Sequence, residues 1–151
     1  MLLSELVTPE HVVVPMEARD KAGALEELTR HLVALSGGVY EDVLRAIAER
    51  EEVLSTGIGF GVAIPHGKSP TVKELSVVCG VSPTPITYGS IDGEPVRLFF
   101  LIVGPESSAG QHVKVLSRIA RLVRHDALRA RLLGARTAAE FHQALLEAEE
   151  R

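Results

Sequence analysis

Hydrophobic residues recur along this chain at two spacings, and these separate predicted helices from predicted strands. Apolar residues at every third or fourth position, the spacing of one helix face, occur in residues 22–35, 40–51, 109–124 and 126–133, and from residue 137 onward. Asp20 is placed to cap the first helix, Gly37-Gly38 to end it, and Thr137 to open a capping box with Glu140 for the last helix. The positions expected to face inward are Ala22, Leu25, Leu28, Leu32 and Leu35 in the first helix, Val43, Leu44, Ile47 and Ala48 in the second, and His112 or Val113 with Leu116, Ile119, Ala120 and Val123 in the third.

Short apolar runs predict strands because they are rich in β-branched residues and bounded by glycine, proline or turn residues. They cover residues 11–14, 62–64, 75–81 and 96–103. The glycine-rich segment 55–61 is predicted to be a loop, and Asp92-Gly93 predicts a tight turn before the last strand. The order of one strand, two helices, three strands and three helices predicts an α+β fold, an α/β/α three-layer sandwich in which a mixed sheet lies between helices on both faces.

The length and composition fit one domain spanning residues 1–151. Of the 151 residues, 46% are hydrophobic, which is enough for a substantial core. The net charge of −4 excludes the strongly basic surface typical of nucleic-acid binding. Six arginines nevertheless gather between residues 118 and 136, either as a solvated helix face or as a docking patch for an acidic protein partner.

The chain is expected to be cytoplasmic, with no direct membrane insertion. Its first residues lack the positive region of a signal peptide, and its longest apolar run, residues 98–103, is too short to span a bilayer. Cys79 is the only cysteine, so no internal disulfide can form. Because Cys79 lies within an apolar run, we interpret it as a small core residue rather than a nucleophile.

His66 is the leading candidate for chemistry because of its immediate neighbours. Pro65 restricts the backbone before it, and Gly67, which has no side chain, is expected to leave the approach open on the other side. An imidazole held firmly at the end of a strand suits a nucleophile that must enter the active site of another protein. The alternative is a polar histidine in an ordinary turn.

The residues just upstream of His66 suggest a phosphate cradle. Glycine amides can converge on an anion, and hydroxyl groups add donors. The candidates are Ser55, Thr56, Gly57 and Gly59, joined by Gly67 on the other side. Residues 61–69 only imitate a P-loop, because five residues separate the glycines where that motif has four, and the last small residue of the dinucleotide fingerprint is also missing.

Residues 50–68, REEVLSTGIGFGVAIPHGK, carry a family resemblance. They resemble the signature of type-2 enzyme IIA domains of the phosphoenolpyruvate-dependent phosphotransferase system, in its fructose/mannitol and nitrogen-regulatory branches. Residues 91–96 and His112 with Leu116 are similar to the same family, and the resemblance covers roughly residues 2–146. The sequence around His66 is most similar to that of the nitrogen-regulatory branch.

The resemblance implies a fold, a reaction and partners. The implied fold is a mixed sheet sandwiched by helices. His66 would accept a phosphoryl group from the histidine phosphocarrier protein on Nε2, His112 would donate to the phosphoryl oxygens, and Arg50 would help to form the phosphate site. The implied acceptor is a IIB domain or a regulated target protein, and no cofactor is expected. Attack requires a neutral ring with one free nitrogen, so Nδ1 is predicted to donate to a carbonyl or carboxylate.

Other interpretations stay open at the sequence level. Arg50 could pair with the neighbouring glutamates, and His112 could be a packed histidine. A metal site on His66 and His112 is disfavoured, because the sequence has no His-Glu-x-x-His motif and no cysteine pair. For the whole chain, the alternatives to a regulatory IIA are a IIA subunit of a fructose- or mannitol-type transporter, and a non-catalytic interaction module on the same fold.

Overall fold

In the computed structural model, which describes residues 2–150, the most apolar strand of the chain lies inside a mixed sheet. The strands are β1 (Val12–Val13), β2 (Gly57–Gly59), β3 (Val62–Ala63), β4 (His66–Lys68), β5 (Ser76–Ile86) and β6 (Val96–Gly104). The helices are α1 (Leu3–Leu6), α2 (Lys21–Ser36), α3 (Tyr40–Val53), α4 (Ala109–Leu122), α5 (Asp126–Gly134) and α6 (Ala138–Glu149).

Strand β6 organises the sheet, whose order is β1-β5-β6-β3-β2, with β4 also pairing with β6. The pairs β5/β6 and β2/β3 are antiparallel, whereas β1/β5, β3/β6 and β4/β6 are parallel. The predicted mixed sheet is therefore confirmed. Strands β3 and β4 follow one another along the same side of β6, separated only by residues 64 and 65.

Alternation along β6 produces two separate cores, because successive side chains of a strand point to opposite faces. Leu98, Phe100 and Ile102 pack in a cluster with residues of α4, α5 and α6. Phe99 and Leu101 pack in another cluster with residues of α2 and α3. The predicted three-layer arrangement is confirmed by this division.

The side-chain caps predicted at Asp20 and Thr137 are present, but one capping contact and two predicted inward positions differ. The Asp20 side chain accepts a hydrogen bond from the Gly23 amide at 2.7 Å, and Thr137 accepts one from the Glu140 amide at 3.1 Å. The carboxylate of Glu140 bonds to the Arg136 amide at 2.6 Å, one residue earlier than the capping box predicts. Ala22 and Leu35, which were predicted to face inward, are exposed near the two ends of α2.

The predicted loop 55–61 is partly wrong, because it contains β2. Gly57 and Gly59 pair with β3, and the chain reverses through Phe60 and Gly61, whose φ angles are 60° and 74°. Two consecutive positive φ angles are typical of tight hairpin turns. Helix α1 and the extension of α3 to Val53 were also not predicted.

The described part of the chain gives two further results. None of its helices is both long and apolar enough to cross a membrane. The side chain of Cys79 is fully buried in the core, and this burial raises the pKa of its thiol, as expected of an inert core residue.

Candidate functional site

Two histidines from distant parts of the chain meet at the edge of the sheet. His66 is the first residue of β4, and His112 lies in the first turn of α4. Their ring centroids are 5.3 Å apart and the ring planes meet at 70°. Both line an open cavity of about 560 Å³ between α3, β4 and α4. The cavity is lined by Ala46, Glu49, Arg50, Val53, His66, Gly67, Lys68, His112, Val113 and Leu116.

The backbone around Pro65 holds the ring of His66. Nδ1 of His66 lies 2.8 Å from the carbonyl oxygen of Ile64. Since a carbonyl can only accept, Nδ1 carries the proton, and in the neutral ring Nε2 retains its lone pair. The predicted partner for Nδ1 is thus confirmed and is the Ile64 carbonyl. The carbonyl of Pro65 accepts from the Ile102 amide at 3.0 Å, which joins this segment to β6.

The surroundings of both imidazoles favour the neutral form of the ring. Burial is the main cause that lowers the pKa of His66 below its ordinary value of 6.5, and the positive charges of Arg50 and Lys68 lower it further. The Ile64 hydrogen bond and the charge of Glu51 act in the opposite direction. Burial, followed by the charges of His66 and Lys68, lowers the pKa of His112 to about 4. A neutral His66 has the lone pair that a nucleophile requires.

The helical pattern did not decide whether His112 or Val113 faces inward, and the structure shows that His112 does. Its side chain is 5% exposed, whereas that of Val113 is 62% exposed. The first turn of α4 brings the positive end of the helix dipole close to the two histidines, which favours an anion there.

Arg50 reaches the cavity from the last turn of α3. Its Nη1 donates to the carbonyl of Leu54 at 2.8 Å, which is a partner that a dianion could replace. Within residues 2–150 it forms no ion pair with its neighbouring glutamates. Glu51 instead turns inward, where it pairs with Lys21 at 3.0 Å and accepts from Tyr88 at 2.8 Å. The guanidinium therefore keeps donors for another ligand.

The structure does not bring Ser55, Thr56, Gly57 and Gly59 to this cavity. The amide and hydroxyl of Thr56 both donate to the buried carboxylate of Glu51, and the Gly57 amide donates to the Ser55 hydroxyl at 3.1 Å. Gly57 and Gly59 instead pair with β3 in the hairpin. Its role as a phosphate cradle stays a prediction that the geometry does not support.

Gly67 lines the cavity, but its space is not open as predicted. A Cβ atom at this position would lie 3.1 Å from backbone atoms of Ala46 and Ile47. Gly67 thus permits the close approach of β4 to α3, and this approach brings Arg50 and His66 to one cavity.

Lys68 is a residue at the site that the sequence interpretation missed as a candidate. It lies two residues after His66 on the same strand, so both side chains point to one side of β4. Its Nζ is 3.6 Å from a carboxylate oxygen of Glu106, an exposed pair at the rim. The period of two would have identified Lys68 if residues 66–68 had been predicted as a strand.

The described residues include no group of three or more histidine, cysteine, aspartate or glutamate side chains arranged to hold a metal ion.

Comparison with known proteins places the chain in a family. The family model described as phosphoenolpyruvate-dependent sugar phosphotransferase system, EIIA 2, matches residues 5–148. A nitrogen regulatory protein of Bradyrhizobium diazoefficiens is 35% identical over 96% of this chain and 95% of its own length. A fructose-specific EIIA component of Haloferax volcanii is 33% identical over 84% of this chain and 83% of its own length.

A solved structure agrees with these relatives. The crystal structure of the nitrogen regulatory protein IIA-Ntr from Neisseria meningitidis superposes with a TM-score of 0.88 and 33% identity, covering 95% of this chain and 98% of that one. The family model spans nearly all of the chain, including His66, His112 and Arg50. This chain is therefore a member of the EIIA type-2 family of the phosphoenolpyruvate-dependent sugar phosphotransferase system.

Proposed function

We propose that this chain is a phosphoryl carrier that accepts the group on Nε2 of His66 and passes it to, or displays it for, another protein. The observation that carries the proposal is the hydrogen bond from Nδ1 to the Ile64 carbonyl, which leaves Nε2 with a lone pair. The lowered pKa of the ring maintains that lone pair at neutral pH.

The transfer step needs no cofactor. The lone pair of Nε2 attacks the phosphorus of a phosphohistidine on the histidine phosphocarrier protein, and the bond from phosphorus to the donor's nitrogen breaks. Its electron pair stays on the donor imidazole. The positive charge that develops on His66 is stabilised by the Ile64 carbonyl, because the Nδ1 hydrogen bond strengthens as the ring becomes cationic. The reverse sequence delivers the group to the next acceptor.

The groups on the cavity suit three equatorial oxygens that carry negative charge. Arg50 can exchange the Leu54 carbonyl for a phosphoryl oxygen, and Lys68 adds a second positive charge. His112 is held close to the acceptor ring, where a ring N–H can donate to an oxygen. The open rim gives another protein access to His66.

A regulatory role of the nitrogen-regulatory type is favoured. Relatives with that name align over nearly the full length of this chain, as the 96% coverage by the Bradyrhizobium protein illustrates. Phosphorylation would add close to two negative charges at a cavity bordered by exposed apolar residues, so the two states would present different surfaces to a target.

The second candidate is a IIA subunit that relays phosphate to a IIB domain of a fructose- or mannitol-type transporter. The Haloferax protein, which is named as a fructose-specific component, supports this alternative. Transfer of label to a IIB domain with formation of a sugar phosphate would favour it. A non-catalytic interaction module would instead take up no label.

The test is incubation of the full chain with phosphorylated histidine phosphocarrier protein, followed by intact-mass measurement. One acid-labile phosphate is expected, and His66→Ala should take up none. His112→Gln should still be labelled, but about tenfold or more slowly, because it loses only a donor to the phosphoryl oxygens. His125→Ala alters an exposed histidine outside the cavity and serves as the matched control. Equal labelling of His66→Ala and the unmodified chain would contradict the assignment.

A further inference from the structure

A second cavity, of about 500 Å³, lies between α4, α5 and α6 and shares no lining residue with the cavity at His66. Its apolar lining comes from Leu122 at the end of α4, Leu128 in α5, and Ala144 and Ala148 in α6. The volume is within the range of small-molecule sites, roughly 300–1,000 Å³. The arginine-rich segment noted in the sequence supplies the polar part of its wall.

One charged pair in this wall is internally neutralised. Nε of Arg118 lies 2.6 Å from a carboxylate oxygen of Glu149, whose side chain is fully buried. The same carboxylate accepts hydrogen bonds from the backbone amides of Leu3 and Ser4, each at 2.7 Å. Because Glu149 is surrounded by donors, its charge does not oppose an anion entering the cavity.

The other arginines leave the mouth of the cavity positive. Arg131 pairs with Glu147 at 2.7 Å, and both are partly exposed. Arg121 is exposed in the last turn of α4 and takes part in no ion pair within residues 2–150. Among the described residues that line the cavity, Arg118 pairs with Glu149 and Arg131 with Glu147, which leaves the charge of Arg121 uncompensated. An exposed His125 stands beside it in the lining.

We propose that this cavity binds an amphiphilic organic anion, with its acidic group on Arg121 and its apolar body against Leu122, Leu128 and Ala148. The site is independent of phosphoryl transfer, although α4 forms a wall of both cavities: His112 faces one and Arg121 the other. A guanidinium recognises a carboxylate through paired N–H groups, and the apolar lining excludes fully polar anions.

The test uses octanoate as the probe, with octanol as its neutral counterpart, titrated into the full chain and followed by amide NMR and calorimetry. Saturable octanoate binding is expected, with shifts around Leu128 and Ala148, and octanol should bind at least about fivefold more weakly. Arg121→Gln should weaken octanoate binding about fivefold without changing octanol binding. Arg124→Gln is the matched control, since this exposed arginine lies just beyond α4 and does not line the cavity.

A filling variant gives a second measurement. Ala148→Phe should abolish binding of both probes while the far-ultraviolet circular dichroism stays unchanged. If that variant unfolds, the surface change Arg121→Gln still decides the matter. The proposal is overturned if octanoate shows no saturable binding at millimolar concentration, if Arg121→Gln binds it as well as the unmodified chain does, or if the shifts map to the His66 cavity.

Discussion

At the scale of single residues, the two nitrogens of His66 have different environments. Nδ1 is committed to the Ile64 carbonyl, while the ring lines an open cavity with Arg50 and Lys68. The same hydrogen bond that directs the proton to Nδ1 favours a single tautomer of the ring. His112 is more strongly biased to the neutral form, because its ring is buried beside His66 and Lys68.

The pH dependence of the two rings follows from these surroundings. Because both pKa values are lowered, each ring should stay neutral to a more acidic pH than a free histidine, whose pKa is about 6.5. NMR titration should give a midpoint below 6.5 for His66 and one near 4 for His112. The urea-unfolded chain provides the reference. A midpoint for His66 at or above the unfolded value would show that burial and the two cations do not control its protonation.

The same pKa values link protonation to stability. The unfolded chain binds protons at a higher pH than the folded chain does at these two sites, so the free energy of unfolding should rise with pH. The stabilisation is fully present above about pH 6.5 and is lost as the pH falls toward 4, where His112 titrates. Urea unfolding of His112→Gln and of the unmodified chain across this window should show a shallower slope for the variant. Identical slopes would contradict the lowered pKa of His112.

At the scale of elements, the site depends on how closely β4 approaches α3. Gly67 lacks the Cβ that would meet the helix backbone, and β4 is fastened to β6 by three registered pairs. These contacts bring the last turn of α3, with Arg50, to the same cavity as His66. Helix α4 then closes the other side with His112.

Gly67→Ala should therefore lower the free energy of unfolding by about 1–3 kcal/mol, because the added methyl group overpacks the contact with Ala46 and Ile47. Gly134→Ala is the control: nothing lies within 4 Å of its added Cβ, and it is the last residue of α5. This control should be neutral or stabilised by up to about 1 kcal/mol. Urea unfolding measures both changes. An unchanged free energy of unfolding in Gly67→Ala would show that the contact between β4 and α3 tolerates the added methyl group.

Much of the element order could be predicted from the sequence, because local spacing determines it. The caps at Asp20 and Thr137 and the apolar periods of the long helices are local signals. Strands β2 and β4 have no such local signal, because each has only three residues. They are defined by their pairing, β2 with β3 and β4 with β6. The expectation that Thr56 and Gly57 contribute to a phosphate site rested on their nearness to His66 in sequence. Such nearness does not determine where a hairpin places its donors, and neither residue lines the cavity at His66.

At the scale of the whole molecule, the cavity at His66 has an apolar border that another protein can cover. Val53 at the end of α3 is 81% exposed, and Val113 in α4 is 62% exposed; both line the cavity. They belong to different helices, α3 and α4. Exposed apolar residues that flank a reactive group are typical of a docking surface.

Val113→Ser should raise the KM for the phosphorylated carrier by about fivefold, with little change in the maximal rate, because it removes apolar contact but no group that touches the phosphate. Ile91→Ser is the matched control, since Ile91 is 71% exposed and does not line the cavity. Rapid-quench transfer kinetics measure both parameters. If the control and Val113→Ser behave alike, the carrier does not dock over this border.

The position of the phosphoryl group on the ring decides whether Nε2 of His66 is the acceptor. Long-range proton–nitrogen NMR of the phosphorylated, nitrogen-15-labelled chain identifies which imidazole nitrogen bears phosphorus. We expect one phosphohistidine, at His66, substituted on Nε2 with Nδ1 still protonated against the Ile64 carbonyl. Phosphorus on Nδ1 of His66, or on His112 instead, would contradict the proposed role of that hydrogen bond.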